Sequence, residues 1–347
     1  MSPHRLTPAP RPLLPRLLCV LAVALGGTAL AAHRAGEAPG AARDVTTVLG
    51  PASCAECHVE EFETWQASTH QTGSKLLTRN KEAQAIARAL GIRRLKNDAR
   101  CTSCHYTVTG DEAKTKAVAG VSCESCHGGA RDWLDPHADF GGADATAASE
   151  TDEHRAQRVK SCDEAGMVRP RETHALVEQC FVCHAITDEE LIEAGHPTGE
   201  GFEMVAWSQG EVRHNFVRSQ GKTNAVTTVA ERGEFFVIGQ MLELSFALRA
   251  LQTAQEGGTL ATSSVARAEK AIATLEGVQE LLGAKEIMVV LDAAGKLELT
   301  AGVDAGAVLA EIANCATMFQ ESDALPRLGE LEPLLPKEDA FVGEPAR

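Results

Sequence analysis

The sequence predicts a mostly α-helical protein with little sheet, in which a Cys- and His-rich N-terminal part is followed by a helical bundle. Three observations lead to this fold class. Four Cys-x-x-Cys-His motifs lie between residues 54 and 184. Beyond Val226 these motifs are absent, and apolar residues recur at helical spacing. Aromatic residues make up only 4% of the chain, so the N-terminal part needs another large apolar body to fill its core.

The motifs identify that body, because Cys-x-x-Cys-His is the attachment signature of a c-type haem. Two thiols three positions apart can form thioethers with one macrocycle, and the His that follows becomes the proximal iron ligand. Four motifs predict four covalently bound haems c and a multihaem cytochrome c domain with a haem-packed core. The attachment residues are Cys54, Cys57, Cys101, Cys104, Cys123, Cys126, Cys180 and Cys183, and the proximal ligands are His58, His105, His127 and His184. We expect Gly128 and Gly129 to let the backbone run close to a macrocycle.

The N-terminus predicts export. Basic residues precede an apolar run from Leu17 to Leu30, and Ala29-Leu-Ala31 offers the small residues that a signal peptidase cleaves. The run is short for a membrane span. We therefore expect a signal peptide over residues 1–31, a flexible leader over 32–50 and a periplasmic mature protein. It would meet the membrane only through an uncleaved signal peptide.

The rest of the chain divides by composition into a tetrahaem domain (51–220), a helical bundle (226–321) and an extended tail (322–347). The bundle carries no visible catalytic set, and we expect it to cover the haem domain or to form an oligomer. The formal net charge of −15 argues against nucleic-acid binding and favours a basic protein or a positive patch on a partner.

One segment has the opposite charge. Residues 79–100 carry Arg79, Lys81, Arg88, Arg93, Arg94, Lys96 and Arg100. They are a solvated helix face, partners for haem propionates, or a docking patch for an anionic partner or substrate. Two cysteines outside the motifs, Cys162 and Cys315, either pair in the oxidising compartment or are two separately buried thiols.

Whether each haem iron has a second His ligand distinguishes an electron carrier from an enzyme. Two His ligands leave no open iron site, whereas a haem with one His can bind a small ligand. The candidates outside the motifs are His70, His137, His154, His174, His196 and His214, which is enough for four distal positions. We expect His70 at the end of the helix that the first motif opens, and His137 on a loop after Pro136.

Several stretches resemble the tetrahaem cytochrome c-554 family over about residues 50–216. They are the four motifs, Trp65-x-x-x-x-His70, Gly120-Val-Ser-Cys-Glu-Ser-Cys-His-Gly128 with a later His137, and Glu178-Gln-Cys-Phe-Val-Cys-His184. The resemblance implies a mostly helical haem domain with haems in close pairs.

The resemblance also implies distal ligands. His137 would complete the haem of His58, His70 that of His184, and His214 that of His127. The second haem, on His105, is five-coordinate in the family's best-known member, but His196 and His174 are additional residues that could close it here.

The predicted function is periplasmic electron transfer, with single electrons relayed between a donor and an acceptor protein. The resemblance offers a hydroxylamine-oxidoreductase-like or quinol-oxidising complex as a partner. The alternative is a small nitrogen-oxide reductase or related enzyme acting at a five-coordinate second haem. A third hypothesis has the bundle holding the cytochrome in a larger complex.

Overall fold

The computed structural model describes residues 44–111 and 113–346. The predicted signal peptide and residues 32–43 of the predicted leader lie outside this range. The part that is described is mostly helical, as predicted, and its sheet is a single hairpin.

The Cys- and His-rich part consists of short helices. They are α1 (Val59–Ala67), α2 (Thr69–Leu77), α3 (Lys81–Ala89), α4 (Ala99–His105), α5 (Cys123–His127), α6 (Leu134–Ala138), α7 (Asp152–Glu164), α8 (Thr173–His184), α9 (Glu189–Glu193) and α10 (Met204–Ser208). The hairpin joins α4 to α5. Its strands β1 (Thr107–Gly110) and β2 (Thr115–Ala119) are antiparallel, with Thr107 opposite Ala119.

The C-terminal part has longer helices, because apolar residues recur there over many turns. They are α11 (Val229–Thr253), α12 (Thr259–Leu282), α13 (Lys285–Ala294) and α14 (Gly306–Phe319). Thr228 begins α11 with a capping box, in which Thr228 and Glu231 each bond the other's backbone N–H.

Two local predictions differ from the structure. Ser68 is extended and separates α1 from α2, so His70 lies in the first turn of a second helix instead of ending the first. His137 lies on α6 instead of a loop. Pro136 is tolerated there because it is the third residue of that helix, where a backbone N–H has no intrahelical partner anyway.

The largest apolar core crosses the predicted boundary at 221–226. It contains Val177 and Phe181 of α8, Met204 and Val205 of α10, and buried residues of α11 to α14. Phe181 lies between Cys180 and Cys183 of the fourth motif, and its ring centroid is 5.7 Å from that of Phe246 in α11. The bundle therefore supports the helix that ends in His184.

The tail does not run extended, contrary to our expectation. Leu325–Leu334 forms a 3₁₀ helix that packs against α11 and α12. Leu328, Leu331 and Leu335 are buried in the bundle core. Three apolar side chains on one short segment supply the burial that keeps it against the bundle.

The end of the predicted flexible leader is also held in place. Glu124, inside the third motif, is buried, and its carboxylate accepts hydrogen bonds from three backbone N–H groups. The donors are Leu49 (2.9 Å), Gly50 (2.7 Å) and Ala130 (2.9 Å). A buried carboxylate needs such donors, so residues 44–50 form part of the folded structure around α5.

Gly128 makes room for backbone. Its φ is 83°, and a Cβ there would overlap the carbonyl oxygen of Gly166. A Cβ at Gly129 would overlap Thr47. In the described chain, the segment after α7 therefore passes close to Gly128, and the end of the leader passes close to Gly129.

We expect Glu124→Gln to lower the free energy of unfolding by about 2–4 kcal/mol, because an amide cannot accept the three charge-assisted hydrogen bonds. Urea unfolding followed by far-UV circular dichroism would measure the change. The matched control is Glu56→Gln, at an exposed Glu inside the first motif. Equal, small effects of both variants would contradict the role given to Glu124.

Candidate functional site

Eight histidines meet in four pairs, each with one motif His and one His from another segment. The ring centroids are 6.3 Å apart for His58 and His137, 6.2 Å for His70 and His184, 6.2 Å for His105 and His196, and 6.3 Å for His127 and His214. The two members of each pair lie on different elements. The pairing of the two histidines therefore depends on the tertiary structure.

The four distances agree to within 0.1 Å. An imidazole nitrogen binds a first-row metal at about 2.0 Å, so two imidazoles on opposite sides of one iron have ring centroids about 6 Å apart. The spacing therefore fits one iron between each pair.

The second ring nitrogen of several of these histidines is already bonded to the backbone. Nδ1 of His127 lies 3.0 Å from the Val168 carbonyl oxygen, that of His196 2.8 Å from Pro197 O, and that of His214 2.7 Å from Val212 O. Nδ1 of His137 bonds the Leu134 carbonyl. Because a carbonyl oxygen only accepts, Nδ1 carries the proton and Nε2 keeps a lone pair for a metal.

Burial keeps the less exposed imidazoles neutral. It lowers the pKa of His70, His105 and His127 from the ordinary value. It lowers the pKa of His184 to about 4, and the nearby His70 and His105 add to the effect. A neutral imidazole is the form that ligates a metal, so these rings can ligate at neutral pH.

None of the eight motif cysteines forms a disulfide in the described chain, and each motif ends at or next to a helix. Motifs two and four end α4 and α8, the third forms α5, and the first immediately precedes α1. No group of three or more His, Cys, Asp or Glu side chains suited to a metal ion occurs among the described residues. A porphyrin supplies four iron ligands itself, so one cysteine pair and two histidines per site fit a haem c.

Contacts between the motifs give their order in space. The thiols of Cys54 and Cys123 lie close enough to lower the pKa of Cys54 and raise that of Cys123, which joins the first motif to the third. α5 packs against α8, which joins the third to the fourth. The Cys104 thiol lies 3.9 Å from the Val182 carbonyl oxygen, which joins the second to the fourth. The motifs therefore lie in the order first, third, fourth, second.

The two remaining candidate histidines have other partners. Nδ1 of His154 lies 2.8 Å from Glu150, and Nδ1 of His174 lies 3.1 Å from the Thr317 hydroxyl of α14. The leftover cysteines do not pair: Cys162 is buried beside Ala130 and Trp133, and Cys315 is buried in the bundle core. These are two separately buried thiols, one of the two alternatives.

An ion-pair network that the sequence did not predict holds the segment of His137. Arg158 on α7 donates to the buried carboxylate of Glu150 at 2.6 and 2.7 Å and to the His137 carbonyl oxygen at 2.9 Å. The hydrogen bonds from Arg158, with those from His154 and Arg155, lower the pKa of Glu150 to about 2. The sequence carried no signal for this network, because eight residues separate the pair and charged residues occur along the whole of α7.

The lowered pKa of Glu150 predicts a pH dependence. A carboxyl group whose pKa is lowered by folding stabilises the folded state at pH values above its unfolded pKa. For Glu150 this stabilisation is lost as the pH falls toward about 2. We expect Glu150→Gln to be less stable than the wild type at pH 7, with the difference narrowing between about pH 4.5 and pH 2. Urea unfolding at several pH values would test this. Asp152→Asn, at an exposed carboxylate of α7, is the control; a difference from wild type that stays constant with pH would contradict the expectation.

Comparison with known proteins gives two matches. Residues 53–128 match the model of the family described as cytochrome c554 and c-prime. Over 143 residues the chain is 27% identical to cytochrome c-554 of Nitrosomonas europaea. The aligned region covers 39% of this chain and 56% of that protein. The chain thus spans little more than half the length of this relative. No solved structure matches it significantly.

Within the described part, no helix combines the length and apolarity needed to cross a membrane. The matched segment contains the first three Cys-x-x-Cys-His motifs and the histidines at positions 58, 70, 105 and 127. Over this segment, the chain is similar to the cytochrome c-554 family.

Proposed function

We propose that this protein is a c-type cytochrome that carries four covalently bound haems and relays single electrons between redox proteins. One observation carries the proposal: four motif histidines each face a second His at 6.2–6.3 Å between ring centroids. When bound, the haems supply one-electron redox chemistry. The family match of residues 53–128 supports the same class of protein.

Each haem would be held by two cysteines and two histidines. The four sets are Cys54, Cys57, His58 and His137; Cys101, Cys104, His105 and His196; Cys123, Cys126, His127 and His214; and Cys180, Cys183, His184 and His70. The cysteines would anchor the macrocycle covalently, and the two histidines of each set would ligate its iron. The backbone carbonyls that accept from Nδ1 hold His127, His137, His196 and His214 in orientation.

The contacts between motifs support a relay in the order first, third, fourth and second. Neighbouring motifs share either a thiol contact or a packed helix pair. The chain's own contribution to this relay is spacing and burial. It also partly buries His70, His105, His127 and His184.

The enzyme alternative requires an open second haem. His196 lies opposite His105 at the same separation as the other three pairs, and its Nδ1 is occupied by the Pro197 carbonyl. This arrangement supports a closed site and therefore a carrier. The carrier proposal does not require a substrate pocket.

The covalent haem count is tested by the intact mass of the purified holoprotein and by pyridine haemochrome quantification. We expect four haems per chain, one for each Cys-x-x-Cys-His motif. Cys180→Ala with Cys183→Ala should lower the count to three. A mass without any haem increment would overturn the proposal.

Replacing His196 tests the ligation of the second haem. We expect His196→Ala to convert one of the four ferric haems to high spin and to let the reduced protein bind one carbon monoxide, because the iron loses its distal ligand. Visible and electron paramagnetic resonance spectra would show both changes. The controls are His154→Ala and His174→Ala, which should stay low spin. A wild-type protein that itself binds carbon monoxide would favour the enzyme alternative.

We also propose that the protein works in the periplasm. The basic start and the apolar run of residues 17–30 support export. N-terminal sequencing of the mature protein should find cleavage near residue 31. A mature chain that begins at Met1 in the cytoplasm would contradict export.

A further inference from the structure

A basic surface lies beside the second motif. We define it as the six cationic residues of the segment 79–96: Arg79, Lys81, Arg88, Arg93, Arg94 and Lys96. The segment contains one acidic residue, Glu82, whereas the whole chain has a formal net charge of −15. All six cations are exposed. They belong to α3, to the residues flanking it, and to the 3₁₀ turn Leu95–Asn97.

These charges are not neutralised within the described chain. None of the six forms an ion pair with any described Asp or Glu, whereas nearby Arg100 pairs with Asp98 at 3.2 Å and with Glu190 at 3.7 Å. Arg93 and Arg94 line one surface hollow together with Ile92, Asn97 and Asp98. Two exposed guanidiniums at one hollow suit carboxylates of another molecule, because a guanidinium can bind a carboxylate through two parallel hydrogen bonds.

The inner side of the same segment touches a haem-attachment residue. Ala87 and Ile92 form a buried apolar cluster with Cys101, the first cysteine of the second motif. The ammonium of Lys96 lies 5.8 Å from the centre of the ring of Tyr106, the residue that follows His105 in the chain. A molecule bound on the basic surface would therefore lie next to the second motif, at one end of the motif order.

We propose that the basic surface docks an acidic redox protein, which exchanges single electrons with the haem of the second motif. This inference rests on the proposed function. The exchange moves one electron from donor to acceptor, and no bond is made or broken. An acidic globular face fits better than a polyanion, because a long polyanion would also run over the predominantly acidic remainder of the chain.

Charge reversal tests the docking. The probe is a reduced, acidic plant-type [2Fe–2S] ferredoxin, mixed with the oxidised holoprotein in a stopped-flow spectrometer. We expect Arg93→Glu with Arg94→Glu to lower the second-order rate about tenfold or more at an ionic strength of about 0.01 M. The wild-type rate should fall toward the variant's rate at about 0.5 M, where exposed charges are screened.

The matched control is Lys270→Glu with Lys296→Glu, which makes the same charge change at exposed positions of the bundle. It should alter the rate less than about twofold, because these two residues belong to the bundle and not to the docking surface. Equal slowing by both double variants would overturn the proposal, since only net charge would then matter. Reduction by dithionite and the ferric spectrum should be unchanged in all variants.

Two further outcomes separate this proposal from the one on which it rests. If Arg93→Glu with Arg94→Glu shifts the haem midpoint potentials but not the ferredoxin rate, the cations serve the haem propionates and the docking proposal fails. If the wild type carries no haem that dithionite can reduce, the carrier function itself fails. Haem quantification before each kinetic run keeps the two failures distinct.

Discussion

The structure depends on one geometric constraint: imidazoles from distant segments face each other in pairs at a nearly constant separation. His58 meets His137 on α6, and His70 on α2 meets His184 at the end of α8. Each pair brings together two segments that are far apart in the sequence. In a region of short helices and few aromatic residues, the bound group that we propose between each pair would supply much of the core.

Polar groups around the pairs limit how far they can move. Carbonyl oxygens orient His127, His196 and His214 through Nδ1. Arg158 joins the backbone of His137 to α7, and Glu124 joins the third motif to the end of the leader. Buried charged groups are costly unless they are fully bonded, so these networks hold one arrangement in preference to looser ones. The bundle adds apolar support by packing Phe246 against Phe181 inside the fourth motif.

Much of the fold was predictable because its signals are local. Helical periodicity after Val226 predicted the bundle, and the motifs predicted where α4, α5 and α8 carry their cysteines and histidines. Predictions failed where long-range contacts decide. The tail looked extended because of its prolines and acids, but Leu328 and Leu331 find a surface on α11 and α12. Residues 44–50 looked flexible, but Glu124, 74 residues away from Gly50, holds them.

The sequence alone determined the chemistry of the site: four cysteine pairs, each with an adjacent His, because that spacing lies within one turn of chain. It could supply six candidate second histidines but could not choose among them. The tertiary structure brought His196 opposite His105 and directed His154 and His174 to Glu150 and Thr317. It also decided the order of the motifs in space. The physical reason is that a pairing across 70 or more residues depends on how whole helices pack, and no local pattern encodes that packing.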